Sequence, residues 1–101
     1  MSDTEATDAA DASDDELGEE SPAPTAHDVL EYLVRSIVEH PDEVEIEADE
    51  HGERVQLSVQ VANSDMGRVI GKRGRVANAI RTVVAAAAVR DGVTLEVEFL
   101  D

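Results

Sequence analysis

The sequence predicts an α+β fold in which helices pack on one face of a three-stranded sheet, in the order helix, strand, strand, helix, helix, strand. Three observations predict it. One early segment repeats apolar residues at helical spacing, three segments alternate apolar and polar residues as strands do, and two glycines interrupt a second helical region. Helices covering a single face would bury the apolar side of all three strands in one core. A chain of 101 residues has room for one such domain.

The first helix is predicted over residues 26–39. Thr25 and Asp28 resemble a capping box and predict its start. Pro41 predicts its end, because a residue before proline is biased away from helical dihedral angles. The apolar stripe that faces the core consists of Val29, Leu30, Leu33, Val34, Ile37 and Val38.

Two strands and a hairpin follow. Residues 43–48 alternate apolar residues with glutamates, and residues 54–61 alternate valine or leucine with polar residues. This period of two is typical of a sheet with one buried and one hydrated face. Residues 49–53 contain Gly52 and predict the hairpin connection. The hydrated face carries no aromatic residue, so it offers no platform for stacking bases as RRM domains do.

The second helical region and the last strand complete the order. The cluster at residues 63–65, Asn-Ser-Asp, predicts the start of a short helix over 65–70, because these side chains can accept hydrogen bonds from first-turn amides. A longer helix is predicted over 74–90 and is ended by an Asp-Gly pair. Residues 93–99 alternate again and predict the third strand.

The charge is distributed unevenly along the chain. A formal net charge of -16, from 24 acidic and 8 basic residues, argues by itself against a nucleic-acid partner. Residues 66–90, however, contain six of the eight cations and no acid, whereas residues 1–24 contain nine acids and no cation. This segregation predicts an anion-binding surface within residues 66–90.

Residues 1–24 are predicted to be a disordered acidic tail, and residues 25–101 the folded domain. Leu17 is the only large aliphatic residue of the tail beyond Met1, so burial of apolar surface cannot offset the entropy of ordering it. The tail either competes with nucleic acid for the basic region or only adds solubility. The single lysine, Lys72, fits either a high-salt cytoplasm or a GC-rich genome that favours arginine.

The tetrapeptide Gly71–Gly74, here called the GKRG loop, lies between the two predicted helices of the basic region. Its glycines permit a sharp turn and let a nucleic-acid backbone approach without a Cβ in the way. Gly74 also opens the longer helix, whose first amides favour an anion. Lys72 and Arg73 are predicted to pair with phosphates, and two further cations broaden the positive field, Arg68 and Arg75. Since GxxG alone is a weak motif, a glycine turn with solvent-facing cations stays open as the alternative.

The heptapeptide Val69–Arg75, VIGKRGR, resembles the core signature of KH domains. The wider stretch 66–81, together with His40–Val44 after the first helix, resembles the small bacterial single-KH proteins of the KhpA family. The resemblance covers about 26–100, and the predicted order matches the type II KH arrangement. It implies that the loop clamps about four nucleotides of single-stranded RNA, with the bases in a groove between the helices and the sheet edge.

The resemblance also implies which residues bind and what the protein does. The expected RNA-binding residues are Gly71, Lys72, Arg73, Gly74, Arg75, Arg68 and Ile70. The family is associated with homodimers and with a larger cytoplasmic partner that carries a Jag domain and its own KH domain. It is linked to RNA regulation that affects cell division, cell shape and wall growth. The expected role is that of an RNA chaperone or post-transcriptional regulator.

The long helix itself suggests a protein partner. Residues 76–89 are interrupted only by Asn78, Arg81 and Thr82, so apolar surface extends over most of the helix. Such a helix is usually buried on most faces, which predicts self-association or docking. The alternative is helix propensity alone, because alanine is the best helix former and tolerates exposure.

The remaining residues suggest no catalysis, cofactor or metal. The chain has no cysteine, and His27, His40 and His51 are too scattered to predict a metal site. Phosphate-binding and nucleophile motifs such as GxxxxGK and GxSxG are absent from the sequence. An acidic N-terminus without an apolar region predicts no signal peptide, and no apolar run is long enough to span a bilayer. The sequence therefore predicts a cytoplasmic binding protein that is not an enzyme.

Overall fold

The computed structural model describes residues 21–100, so most of the predicted tail and Asp101 lie outside the described part. The predicted order of helices and strands is confirmed. The elements are α1 (Pro24–Ile37), β1 (Glu45–His51), β2 (Arg54–Gln60), α2 (Met66–Ile70), α3 (Arg75–Ala88) and β3 (Thr94–Leu100). Short 3-10 turns lie at Pro41–Glu43, Asn63–Asp65, Lys72–Gly74 and Val89–Asp91.

The three strands form one mixed sheet in the order β1-β2-β3. Strands β1 and β2 are antiparallel, with His51 opposite Arg54, so the hairpin turn consists of Gly52 and Glu53. Gly52 has a φ of 66°, the positive value that a two-residue hairpin turn requires at its first position. Strand β3 runs parallel to β2, which requires the crossover that α2 and α3 provide.

All three helices cover one face of this sheet. The central strand β2 supplies the middle of the core, because its three inward side chains are at most 1% exposed. The fully buried large residues are Leu30 and Val34 of α1, Val55, Leu57 and Val59 of β2, Val69 of α2 and Val84 of α3. The opposite face of the sheet is polar, as the alternating pattern predicts.

Helix α1 begins and ends two residues earlier than predicted, and the predicted capping box is wrong. Ala23 occupies the position before the helix and has no side-chain cap. Instead, the backbone N–H groups of Thr25 and Ala26 donate to the two carboxylate oxygens of Asp91, at 3.1 and 3.0 Å. Pro24 suits the first turn, where a missing N–H costs no helical hydrogen bond. A residue far along the chain therefore caps α1.

The role predicted for Asp65 at the start of α2 is also wrong. Asp65 precedes α2 but accepts no hydrogen bond from its first turn. Its buried carboxylate accepts from the backbone N–H groups of Glu39 and His40, each at 3.0 Å, and lies 3.1 Å from Nδ1 of His40. Asp65 thus ties the chain that leaves α1 to the beginning of α2.

Candidate nucleic-acid interface

The GKRG loop has an unusual backbone between α2 and α3. Gly71, Arg73 and Gly74 have positive φ angles of 75°, 59° and 73°. Arg73 is the single non-glycine residue with positive φ in the described part of the chain. Such angles disfavour L side chains, so the loop makes a tight turn that sequences without these glycines adopt only with strain.

The two glycines of the loop meet different surroundings. A Cβ on Gly71 would lie 2.9 Å from the backbone nitrogen of Val76 and still closer to the Val76 side chain. A Cβ on Gly74 would have no atom within 4 Å. Gly71 therefore lets the first turn of α3 pack against the end of α2, while the space beside Gly74 is open to an approaching backbone.

The predicted phosphate-binding cations lie on the surface of this turn. Lys72, Arg73 and Arg75 are exposed, and none of them forms an ion pair with another residue between 21 and 100. Lys72 and Arg73 belong to the turn, and Arg75 is the first residue of α3. Three exposed cations therefore lie within positions 72–75, on either side of Gly74 in the sequence, and make this turn positively charged.

Arg68 differs from the other predicted cations. Its Nη2 lies 2.8 Å from Oε2 of Glu39, and its Nε lies 3.9 Å from Oδ1 of Asp65. Its side chain remains 52% exposed. Arg68 is therefore close to the loop along α2 but is already engaged by two carboxylates. The sequence could not show this pairing, because Glu39 lies 29 positions earlier.

The apolar residues around the loop divide between core and surface. Val69 is fully buried and Ile80 is 4% exposed, so both belong to the core. Ile70 and Val76 are partly buried and pack against that core. Ile70, predicted to contact RNA, therefore keeps part of its side chain at the surface beside the loop.

A groove of about 650 Å³ runs between α3 and the edge strand β3. Its lining consists of Arg81, Thr82 and Ala85 from α3, Leu95, Glu96, Val97 and Glu98 from β3, and Gln56 from β2. Because α3 begins directly after the GKRG loop, the groove extends along the same helix. Its lining includes no residue of α2 and none of the seven residues that the resemblance predicts to bind RNA.

Arg81 has a structural role within this groove. Its Nε donates to the carbonyl oxygen of Val97 at 3.1 Å, and its guanidinium lies 5.3 Å from the centre of the Phe99 ring. The sequence feature that could have indicated this packing is the position of Arg81 on a mostly apolar helix, where a long side chain can lie along apolar surface.

A second, apolar groove lies between α1 and α3. It encloses about 310 Å³ and is lined by Leu33 and Ile37 of α1 and by Arg75, Val76, Ala79, Ile80 and Val83 of α3. Val83 is 49% exposed. Helix α3 therefore buries one stripe against the sheet and leaves a second apolar stripe at the surface, as its composition predicts.

The described residues show no metal site and no membrane-spanning helix. Between residues 21 and 100, no group of three or more His, Asp or Glu side chains is arranged to hold a metal ion. In the same part of the chain, no helix is both long and apolar enough to cross a bilayer. His27, His40 and His51 lie apart, on α1, before the first 3-10 turn and at the end of β1.

Comparison with known proteins identifies the domain. Residues 27–99 match the family model described as KhpA/KhpB, KH domain. The chain is 44% identical over 72 residues to the RNA-binding protein KhpA of Clostridium acetobutylicum, covering 71% of this chain and 96% of the relative. It is 39% identical over 74 residues to the RNA-binding protein KhpA of Bacillus subtilis, covering 73% of this chain and 91% of the relative.

A relative from a third organism supports the same family. The RNA-binding protein KhpA of Leifsonia xyli is 43% identical over 72 residues, covering 71% of this chain and 92% of the relative. The matched region contains all six helices and strands except for the first residues of α1 and the end of β3. The mixed sheet with β2 parallel to β3 fits the type II KH fold. The chain therefore belongs to the KhpA/KhpB family of KH-domain proteins.

Proposed function

We propose that this protein binds single-stranded RNA, with the GKRG loop holding the backbone and the adjacent helices α2 and α3 contacting bases. The exposed cations of the GKRG loop, which form no ion pair with another residue between 21 and 100, carry this proposal. Exposed Lys72 and Arg73 can approach phosphates without first breaking an ion pair to the described domain. The relatives named RNA-binding protein KhpA support RNA as the polymer, and their family is not one of enzymes.

The proposal for the cellular role of this protein rests on the family to which the chain belongs. We propose a cytoplasmic RNA chaperone or post-transcriptional regulator, with effects on cell division, shape and wall growth. The shared family description of KhpA and KhpB supports a complex with a larger Jag- and KH-domain protein. A single KH domain contacts few nucleotides, so joining two domains would raise affinity through effective concentration.

The test of RNA binding is the double variant Lys72→Asp with Arg73→Asp. It places two negative charges where phosphates would bind, and we expect it to abolish binding of a mixed-sequence single-stranded RNA in fluorescence anisotropy. The matched control is Arg35→Asp with Arg90→Asp, which changes the net charge equally on exposed residues away from the loop. We expect this control to retain most of the binding. Thermal unfolding checks that both variants are folded.

The apolar groove between α1 and α3 favours a second function, self-association. Val83 is half exposed on a surface that also contains Leu33, Ile37, Val76 and Ala79. Burying such a surface against a second copy would remove apolar area from water. In this second function the protein acts mainly as an interaction module, which binds either a second copy of itself or the larger partner that we propose.

The test of this second function is Val83→Glu, measured by analytical ultracentrifugation. A charge on the apolar surface should shift a dimer to the monomer while the fold survives. Val89→Glu is the matched control, because Val89 is 77% exposed and lies outside this groove. If Val83→Glu and Val89→Glu have the same sedimentation coefficient as the wild type, this surface is not an interface between copies.

A further inference from the structure

The cations near the GKRG loop are not equally available to a ligand. Among residues 21–100, Arg68 is the cation of this region that forms ion pairs with acidic side chains. It lies on α2, three positions before Gly71, and its guanidinium is half exposed. Its partner Glu39 is also exposed, at 63% of the side chain, so water and ligands reach both members of the pair.

Glu39 is held in this position by its backbone. Its N–H donates to the buried carboxylate of Asp65, and so does the N–H of His40. Pro41 follows and restricts His40 to a non-helical conformation. Because Asp65 directly precedes α2, the backbone that carries Glu39 is fixed relative to the helix that carries Arg68. A fixed partner loses less conformational entropy when the ion pair forms.

We propose that Glu39 competes with RNA phosphate for Arg68 and thereby limits the affinity of the interface. This inference rests on the proposed RNA binding by the GKRG loop. A phosphate that reaches Arg68 must either displace the Glu39 carboxylate or bind next to it and be repelled by its charge. Either outcome removes most of the binding free energy that the contact with Arg68 would add. Arg68 is thus a phosphate-binding residue that an acidic residue of the same domain masks.

The test is Glu39→Gln, which removes the charge and keeps the backbone hydrogen bond to Asp65. We expect about two- to five-fold tighter binding of a mixed-sequence single-stranded RNA, the range set by an exposed ion pair. We also expect the plot of log affinity against log salt to steepen by about 0.7, because one more cation then contacts a phosphate.

The matched control is Glu31→Gln. Glu31 forms a partly exposed ion pair with Arg35 on the same helix, at 3.2 Å, and removal of its charge changes the net charge by the same amount. We expect Glu31→Gln to leave the salt slope unchanged. In an Arg68→Ala background, Glu39→Gln should no longer increase the affinity beyond the effect of Glu31→Gln, because the residue that it releases is absent.

Two results would overturn the inference. Equal affinities and slopes for Glu39→Gln and Glu31→Gln would show that Glu39 masks no phosphate contact. If Glu39→Gln increases RNA affinity by the same factor in the Arg68→Ala background, the effect of Glu39 is general charge repulsion. Either result leaves the proposed function intact if Lys72→Asp with Arg73→Asp still abolishes binding. Loss of that dependence on the loop would instead overturn the function itself.

Discussion

At the scale of single residues, Gly71 and Gly74 flank the same loop for different reasons. Both have positive φ, but only Gly71 is packed against the protein, where Val76 occupies the space of a Cβ. The sequence predicted that the loop needs glycine at both positions. It could not predict this difference, because the difference depends on how closely the first turn of α3 approaches α2.

The two glycines should therefore respond differently to alanine. We expect Gly71→Ala to lower the free energy of unfolding by about 2–5 kcal/mol, because it adds overpacking to backbone strain. Gly74→Ala adds strain alone and should cost about 1–2 kcal/mol. Gly67→Ala is the control, since Gly67 lies in α2 with open space around its Cβ position and should gain helix propensity. Urea denaturation measures all three, and equal losses at Gly71 and Gly74 would contradict the packing argument.

At the scale of elements, both ends of α1 are fixed by aspartates from elsewhere in the chain. Asp91 caps the first turn, and Asp65 binds the two amides that follow the last turn. The apolar stripe predicted the position of α1 to within two residues. It could do so because the spacing of apolar residues alone determines which face of a helix is buried. The local capping signal at Thr25 was misleading because Asp91, from far along the chain, binds the first amides of α1. The signal near residue 65 was misleading because the Asp65 carboxylate binds amides that follow α1 instead of those of α2.

The contact between Asp65 and His40 makes stability depend on pH. The hydrogen bond to Asp65 raises the pKa of His40 above 6.5. Burial alone would raise the pKa of Asp65, but hydrogen bonds from the Glu39 amide and from His40 lower it below 3.8. The contribution of His40 to the free energy of unfolding is complete below pH 6.5. It is lost as the pH rises through the pKa that His40 has in the folded protein. The contribution of Asp65 is present above pH 3.8 and is lost as the pH falls through its lowered pKa. The two residues together therefore stabilise the fold most between pH 3.8 and 6.5.

We accordingly expect the melting temperature of the wild type to decline between about pH 6 and 8, and we expect His40→Asn to flatten this decline. His51→Asn is the control, because His51 is an exposed residue at the end of β1. It should keep the pH profile of the wild type. Thermal unfolding followed by circular dichroism across this range makes the comparison, and a wild-type profile in His40→Asn would contradict the role of this contact.

At the scale of the whole molecule, charge separates the two faces of the domain. The open face of the sheet carries five carboxylates, from Glu45, Glu47, Asp49, Glu96 and Glu98. Arg54 is the cation of that face and pairs with Glu96. Coulomb repulsion therefore disfavours an RNA backbone on this face, and the contact that we propose lies at the loop between α2 and α3, despite the net charge of -16.

Much of this arrangement could be predicted from the sequence. Strand alternation placed the glutamates on the hydrated face, and the acid-free stretch 66–90 located the basic surface. The groove between α3 and β3 could not be predicted from the sequence pattern, because it depends on β3 lying at the edge of the sheet beside α3. The pairing of Arg68 with Glu39 depends likewise on the tertiary fold.

The salt dependence of RNA binding tests the central claim most directly. We would measure the affinity of the wild type, and of Lys72→Asp with Arg73→Asp, for one single-stranded RNA over a series of salt concentrations. Wild-type affinity should fall linearly on a log–log plot, as expected when cations displace counterions from phosphates. The double variant should show no saturable binding at any salt concentration where the wild type binds. Retained binding with an unchanged slope would contradict the claim that the GKRG loop holds the RNA backbone.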